Sequence, residues 1–467
     1  MNNPDLPVND ASESERLAAH TRLAHQSRVV LRLGVMLLSA GASSFRVKDG
    51  MARLARAVGI EEHHAQVTYT EITTTSYANG TFRTEIAEQR AMGVDAARID
   101  RLNHFVMTLP DQLLVEQADA ELDVIAARGP LYSPFVSAIA SGVACAGFCF
   151  LNKGGVVECL AVLVAALFGQ LLRKSLMKRH MNHFGVWLVC GVVAVTIYIG
   201  LVWGLVHVNA IGSTHEAGAV SAILFLIPGF PLVTSILDII RQDFSAGISR
   251  AVYVAMLLIA IAVAVWATTA VFSWSVFPTD DGYTLAPWAL FCGRAIMTFI
   301  ASYGFAMLFN APQKACLLAA AIGAVINTGR LTAQDAGLAW LAAVGLAALA
   351  AGLLAEPLSN VSKFSRVTLS VPAVVVMIPG VPLYRAVVAI NNGQVTDALS
   401  QVVTVILVIT SIGVGLAVAR MATDRNWLFD QHHPVPSLGD SITTIPSQLI
   451  PEDRTIEEIV AASSPDE

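Results

Sequence analysis

Two short segments carry groups that could hold a small polar solute: Ile227-Pro228-Gly229-Phe230-Pro231-Leu232 and Ile378-Pro379-Gly380-Val381-Pro382-Leu383. Each lies inside an apolar run long enough to cross a bilayer. Proline lacks a backbone donor and clashes with the preceding turn, and glycine tolerates irregular dihedrals, so Pro-Gly-x-Pro should break a helix. Broken backbone at membrane depth survives where it is buried in protein or lines a cavity. The N–H side of a break suits a carboxylate; the C=O side suits an ammonium or a proton-carrying group. Matching breaks in the two halves of a chain are the pattern of a secondary transporter's binding site. The expected substrate contacts are Pro228, Gly229, Phe230, Pro231, Pro379, Gly380, Val381 and Pro382. The alternative is a pair of proline kinks that only shape packing.

Ionisable residues inside spans are costly and become functional candidates. Arg385 follows Pro382 by about one helical turn. It is expected either to hold a substrate carboxylate or to snorkel to the outer surface. Thr234, its mate by the offset of the two motifs, and Ser235 are candidate hydroxyl donors. Asp238 is a candidate for a substrate ammonium or a proton, or an interfacial partner of Arg241. Arg294 needs an acidic partner, and Glu158 is the candidate. Glu216, beside His215, is a charge or proton candidate at the outer face, with a solvated loop end as the plainer reading. Glu356 reads as interfacial, and Asn310 and Asn327, which flank one span, as caps, with the lining of a pathway as the alternative.

The elements that must position these residues follow from composition. The 467 residues are 55% hydrophobic and 14% charged, with mean hydropathy +0.62. That describes a polytopic α-helical membrane protein. Charge is zoned: residues 1–130 hold 13 basic and 17 acidic side chains, 131–423 hold 14 and 9, and 424–467 hold 2 and 9. Ten spans are expected, near 133–151, 155–172, 184–208, 217–240, 251–277, 287–309, 311–328, 337–355, 367–390 and 398–419. With the first domain inside, Arg173, Lys174, Lys178, Arg179, Arg241, Arg250, Lys314, Lys363, Arg366 and Arg420 fall on the cytosolic side; Lys153 and Arg330 fall outside. That asymmetry obeys the positive-inside rule. The first motif is then in span 4 and the second in span 9, running in opposite directions, which is an inverted five-plus-five repeat. Ile139-Ala140-Ser141 and Ile300-Ala301-Ser302 echo it, as do Cys159-Leu160 and Cys316-Leu317. The expected division is a disordered N-terminus (1–13), a cytosolic α/β domain (14–130), two membrane repeats (131–277 and 278–420) and an acidic disordered tail (421–467) with a short helix at 456–462. The loop 278–286, with Asp280 and Asp281, should be external.

In the first domain, Val29, Val30, Leu33 and Leu37 recur at helical spacing and Gly41 suits the position after a helix end. Ser43 or Ser44 can cap a second helix carrying Val47, Met51, Leu54 and Val58. Val67–Thr75 reads as a strand, and Asn79-Gly80 as a hairpin turn before a second strand at 81–86. Two more helices are expected, from Asp95 and over about 113–127. His63-His64 reads as a solvated loop pair. Arg46, Lys48, Arg53 and Arg56 read as a solvated helix face, with Arg46 notable for following the turn. Gly41-Ala42-Ser43-Ser44 lacks the second glycine of a nucleophile elbow. No phosphate-binding Gly-rich loop with Lys-Ser/Thr occurs, so ATP drive within this chain is not expected. The six cysteines lie in apolar runs without ligand spacing, so neither disulfides nor a zinc site are expected. The polar, acidic N-terminus carries no apolar signal segment, which keeps the first domain cytosolic.

Three features together, Gly41-Ala42-Ser43-Ser44-Phe45-Arg46-Val47, the Val67–Thr75 strand with its hairpin, and the paired Pro-Gly-x-Pro-Leu spans, resemble the threonine/serine exporter family. The resemblance covers roughly residues 28–420 and singles out Gly41, Ser43, Ser44 and Arg46 as a domain motif. It implies a fused exporter of threonine and serine driven by the proton motive force. Relatives with the halves on separate chains imply a dicarboxylate such as succinate instead. No cofactor, metal, nucleic acid or catalysis is implied. The expected partners are the small solute, protons and the lipid bilayer of a bacterial inner membrane, with both termini cytosolic and a homo-oligomer left open. A dicarboxylate would need two cationic contacts, a zwitterion one cation and one acid. A membrane sensor or enzyme working through residues 1–130 would instead need a cleft of convergent polar groups there.

Overall fold

The computed structural model describes residues 10–90, 93–207, 216–272 and 285–428. The N-terminal domain begins with α1 (Asp10–Ser39), whose Val29, Val30, Leu33 and Leu37 are all buried as their spacing predicts. α1 ends at Gly41, which has φ +92°. The Ala42 N–H donates back to the Leu37 carbonyl at 3.1 Å. A side chain is strained in that conformation, and a Cβ there would also meet the Gly93 carbonyl at 3.0 Å. α2 (Ser44–Ala57) follows with Ser43 in the capping position.

A three-stranded antiparallel sheet comes next: β1 (Glu62–Val67), β2 (Glu71–Ala78) and β3 (Thr81–Glu88), in that order. Asn79 (φ 51°) and Gly80 (φ 68°) make the expected hairpin turn between β2 and β3. Ile72, Thr74, Ser76 and Ala78 of β2 alternate inward onto α1. Two expectations need correction. The run Val67–Thr75 is not one strand: Thr68 donates its N–H to the Glu71 carbonyl at 2.8 Å, turning the chain between β1 and β2. His63 and His64 are therefore in β1, with His63 Nδ1 2.9 Å from Ser76 Oγ. Helices α3 (Ala96–Met107) and α4 (Val115–Ala127) complete the domain.

The remainder is helical. α5 (Pro134–Leu151) starts on Ser133, whose hydroxyl accepts from the Val136 N–H, with Pro134 in the first turn. Then come α6 (Val156–Lys178), α7 (His183–His207), α8 (Glu216–Ala222), α9 (Gly229–Ile240) and α10 (Phe244–Val271). The later set is α11 (Pro287–Leu308), α12 (Gln313–Asp335), α13 (Trp340–Ser362), α14 (Arg366–Val375), α15 (Gly380–Asn391) and α16 (Val395–Thr423). Eight of these are individually long and apolar enough to cross a membrane. The stretch Gly218–Leu226 and α9 bend by 67° and α14 and α15 by 47°, so the helices supply eight candidate spans, or up to ten if each bent pair is one span. Asn327 lies well inside α12 and does not cap it.

Packing is reciprocal across the breaks. α8 touches α15, and α9 touches α14. α5 and α11 meet through small residues, Gly304 approaching the Ala140 carbonyl so closely that a Cβ would stand 2.7 Å from it. The tail expected from 421 onward, with its helix at 456–462, lies outside the described residues from 429, as do His215, residues 278–284 of the expected external loop, and residues 1–9 of the expected disordered N-terminus.

Candidate functional site

The two breaks have the same backbone. Pro228 has φ −78° and ψ 62°, and Pro379 φ −78° and ψ 68°. In each, the glycine N–H donates to the carbonyl two residues back at 2.8 Å, Gly229 to Ile227 and Gly380 to Ile378. These are inverse γ-turns. The turn uses the glycine donor and the second proline has none, so each break keeps one early N–H, that of Phe230 or Val381, for another acceptor. The breaks also touch: a Cβ on Gly229 would stand 2.9 Å from Ile378 Cδ1.

A cavity of about 240 Å³ lies beside the first break. Its walls include Phe225, Leu226, Ile227, Pro228 and Pro231 from the break, Trp187 from α7, Tyr253 and Leu257 from α10, Phe305 from α11 and Phe309 just after it. α6 contributes Arg173 and Lys174. No carboxylate is among the described lining residues. Arg173 donates to the Phe225 carbonyl at 2.9 Å and lies 5.3 Å over the Trp187 ring. Trp187 Nε1 donates to the Leu226 carbonyl at 2.6 Å. The carbonyls opened by the break are thus satisfied by side chains that also face the cavity. The N-terminal domain supplies the remaining wall, Tyr69, Gly93 and Val94.

That domain is locked to the helices chiefly by buried carboxylates. Asp238, at the end of α9, accepts from the Ser44 N–H at 3.1 Å and from Ser44 Oγ at 3.2 Å, filling the electropositive start of α2. Arg250 of α10, fully buried, is 3.3 Å from Asp238 and donates to the Ala42 carbonyl at 2.9 Å. Asp243 accepts from Ser44 Oγ and pairs with Lys48, and Arg241 stacks on Phe45 with 3.5 Å to the ring centroid. Reciprocally, Asp100 of α3 accepts from the Ser365 N–H at 2.9 Å and Thr368 Oγ1 at 3.0 Å, at the start of α14. Burial pushes Asp100 above the usual carboxylate range, while the bonds from Ser365 and Thr368 and the charge of Arg46 oppose that shift. Burial pushes the Arg46 guanidinium down. A third tie joins Asp95 to Asn310, whose amide donates to it at 2.7 Å.

Comparison with known proteins now bears on this arrangement. Residues 28–272 match the family model described as "Putative threonine/serine exporter", and residues 294–422 match a second model described as "Threonine/Serine exporter, ThrE". The first match alone covers more than half of the chain. The chain belongs to the threonine/serine exporter family. It is also 25% identical over 239 residues, 51% of this chain and 91% of the relative, to a protein of Escherichia coli K12 described as "Probable succinate transporter subunit YjjP". The Klebsiella aerogenes protein of the same description is 24% identical over the same shares. No solved structure matches.

Within this exporter-family chain, the sequence-derived candidates separate. Pro228 and Pro231 face the cavity, whereas Gly229, Gly380 and Pro382 are buried in the crossing of the breaks. Phe230 is buried and meets Phe309 edge-on at 5.5 Å. Val381 is half-buried. The Thr234 hydroxyl bonds to the Phe230 carbonyl at 3.1 Å and that of Ser235 to Leu232 at 2.8 Å, so both are engaged on their own helix. Arg385 is exposed on α15. Asp238 partners Ser44 and Arg250, and Arg241 stacks on Phe45, so the Asp238–Arg241 pairing is replaced. Arg294 pairs with Asp335, while Glu158 reaches back to the Gly155 N–H at 2.7 Å and lies 3.5 Å from the Tyr198 hydroxyl. The Glu158–Arg294 pair is therefore corrected: each residue has a nearer partner. Glu356 pairs with Arg366. The side chain of Glu216 lies outside the described residues. Of Gly41, Ser43, Ser44 and Arg46, Ser44 makes the bonds of the domain lock, Gly41 and Ser43 form the turn before it, and Arg46 faces Asp100 electrostatically; Lys48 pairs with Asp243, so that helix face is not simply solvated.

Arg173 and Lys174 are the residues that sequence reasoning missed. The apolar run ends at 172, which made them look like loop markers of the inner face. α6 continues to Lys178 and carries them into the cavity wall.

Proposed function

We propose that this family member is a secondary transporter that takes a small carboxylate-bearing solute into the cavity at the first break and exports it across the bacterial inner membrane. The carrying observation is the cavity wall of Arg173 and Lys174 with no carboxylate among its described residues. Arg173 is held in place by Trp187 and the Phe225 carbonyl, so its guanidinium is oriented before a ligand arrives. The mate of this cation is a carboxylate.

Ten spans in an inverted five-plus-five repeat fit this reading. α6 and α12 are both 23 residues long, and α9 and α15 both 12. The γ-turns are alike and the packing across them is reciprocal. The N-terminal domain touches the ends of α9, α11 and the start of α14, which a ten-span chain puts on one face. The surplus of basic residues on that face makes it the cytosol. Tyr69, Gly93 and Val94 then close the cavity from the cytosolic side.

Two substrates share the carboxylate. The family description favours threonine and serine. The two lining cations favour a dicarboxylate, whereas Asp95, beside Val94 and close enough for its charge to act on Lys174, is the acid that an ammonium would need. Proton drive belongs to the proposal in either case. Inside-out vesicles loaded with this protein should take up at least one of labelled succinate, threonine and serine, and a protonophore should abolish it. Uptake of succinate alone selects the dicarboxylate, and uptake of threonine or serine alone selects the amino acid. No uptake of any of the three by folded protein would refute the transporter reading.

A further inference from the structure

α6 and α12 match beyond their length. Counting from each first residue, Cys159 and Cys316 are fourth, Gln170 and Asn327 fifteenth, and Arg173 and Arg330 eighteenth. Gln170 and Asn327 are both fully buried amides. Gln170 Nε2 donates to Ser137 Oγ of α5 at 3.1 Å, and Asn327 Nδ2 donates to Thr298 Oγ1 of α11 at 3.0 Å. Ser137 and Thr298 each stand two residues before the Ile-Ala-Ser segments that echo each other in α5 and α11. A hydroxyl, an amide and an arginine one turn beyond it therefore recur as a unit, with the same bond between the same helices.

The arginines differ in employment. Arg173 faces the cavity and binds a carbonyl of the break. Arg330 lies on its own helix, with Nε donating to Asn327 Oδ1 at 2.9 Å and Nη1 to Gln334 Oε1 at 3.3 Å. Among the described residues its bonds go to amides, and the nearby Asp335 is taken by Arg294. A half-buried arginine held by neutral side chains can turn to a carboxylate at the cost of two exchangeable bonds. Among the described residues, Thr328 next along α12 is buried with no hydrogen-bond partner for its hydroxyl, and so is Ser302 on α11.

We infer that Arg330 is a second carboxylate-binding position of the transport cycle, on the face away from the N-terminal domain, which receives the substrate after Arg173 releases it. The inference rests on the transporter reading above and adds to it the exit side. In a two-fold arrangement of broken helices, the two states exchange the roles of the halves, so the employed and resting arginines exchange as well. The ligand is the same small carboxylate, bound by the guanidinium with the Asn327 amide released beside it.

The test reads each face separately. Inside-out and right-side-out vesicles would be compared for wild type, Arg330→Gln, Arg330→Lys and Arg173→Gln, using whichever of succinate, threonine and serine the wild type carries. Arg330→Gln should raise half-saturation from the outer face by about tenfold or more and move the inner face by less than about threefold. Arg330→Lys should recover most of the loss, and Arg173→Gln should show the opposite split. A purely structural role for Arg330 would move both faces together, and that result, or no change at either, would overturn the inference. Should Arg330→Gln fail to insert, the split is read on Arg330→Lys, where a smaller outer-face rise is expected and an equal rise at both faces would overturn it. Wild-type vesicles inert from both faces would instead remove the transporter reading itself.

Discussion

Asp238 and Ser44 stand 194 residues apart, yet Asp238 Oδ1 accepts both the Ser44 N–H and the Ser44 hydroxyl at the start of α2. Asp238 belongs to α9, the second helix of a bent pair, and Ser44 to the N-terminal domain. Asp100 and Ser365 repeat the relationship in reverse, the domain now supplying the acid and the second bent pair the helix start. Each bent helix pair is thus held to the domain by a carboxylate lock. Movement at either break would be felt by the domain, and the domain carries Tyr69 on the cavity wall.

Asp238 and Arg250 have side-chain exposures of 2% and 1%, so neither can turn to water if the other is removed. Asp238→Asn should cost about 3–5 kcal/mol, because a buried Arg250 loses its counter-charge. Thermal unfolding of the purified protein reads this. Adding Arg250→Met should return part of the loss, whereas a loss that simply adds would contradict the lock.

Arg46 and Asp100 face each other electrostatically, and Arg46 Nη1 and Asp100 Oδ2 are both buried without a hydrogen-bond partner among the described residues. A double-mutant cycle with Arg46→Met and Asp100→Asn should give a coupling of about 1–3 kcal/mol. The asparagine oxygen can still accept from Ser365 and Thr368, so the cycle isolates the charge. Additive effects would show that the two residues act independently.

His63 is pushed down to about 4 by burial and by the neighbouring His64. Its unfolded value is near 6.5, so between about 4 and 6.5 the unfolded chain binds the proton more readily. Stability from this residue is therefore complete above about pH 6.5 and is lost as pH falls toward 4, by up to roughly 3 kcal/mol. His63→Gln should flatten that part of the pH profile of unfolding, followed by tryptophan-independent far-UV circular dichroism. An unchanged profile would mean that other groups set the acid limit.

Two glycines with positive φ make a sharper comparison. Gly80 has open space where a Cβ would go, so Gly80→Ala should cost only the backbone preference, about 1 kcal/mol. Gly41→Ala carries the same backbone penalty and also presses on the Gly93 carbonyl, so it should cost more. Equal losses would mean that the α1 end can shift away from residue 93. Because Gly93 lines the cavity, Gly41→Ala should also weaken transport, and Gly80→Ala should not.

What was legible in the sequence was what local chemistry decides. Pro-Gly-x-Pro breaks a helix wherever it stands, and both breaks are where the motif put them. Asn79-Gly80 makes its turn for the same reason. β1 was hidden because only Val67 of its six residues is fully buried, leaving no alternation to read. The lock was hidden because Ser44 reads equally well as a self-contained cap, and only the fold brings Asp238 to it. Arg173 was hidden because hydropathy ends a span where charge begins, while the helix itself has no reason to stop there. The hydroxyls of Thr234 and Ser235 illustrate the converse: their types suit a ligand, but the adjacent helical carbonyls are nearer.

The most direct test of the account is calorimetric binding of succinate, threonine and serine to purified wild type and Arg173→Gln. The account predicts that at least one of them binds the wild type and that Arg173→Gln weakens it by about tenfold to a hundredfold, with folding unchanged. Equal affinity in the two proteins would place the carboxylate somewhere other than the cavity at the first break.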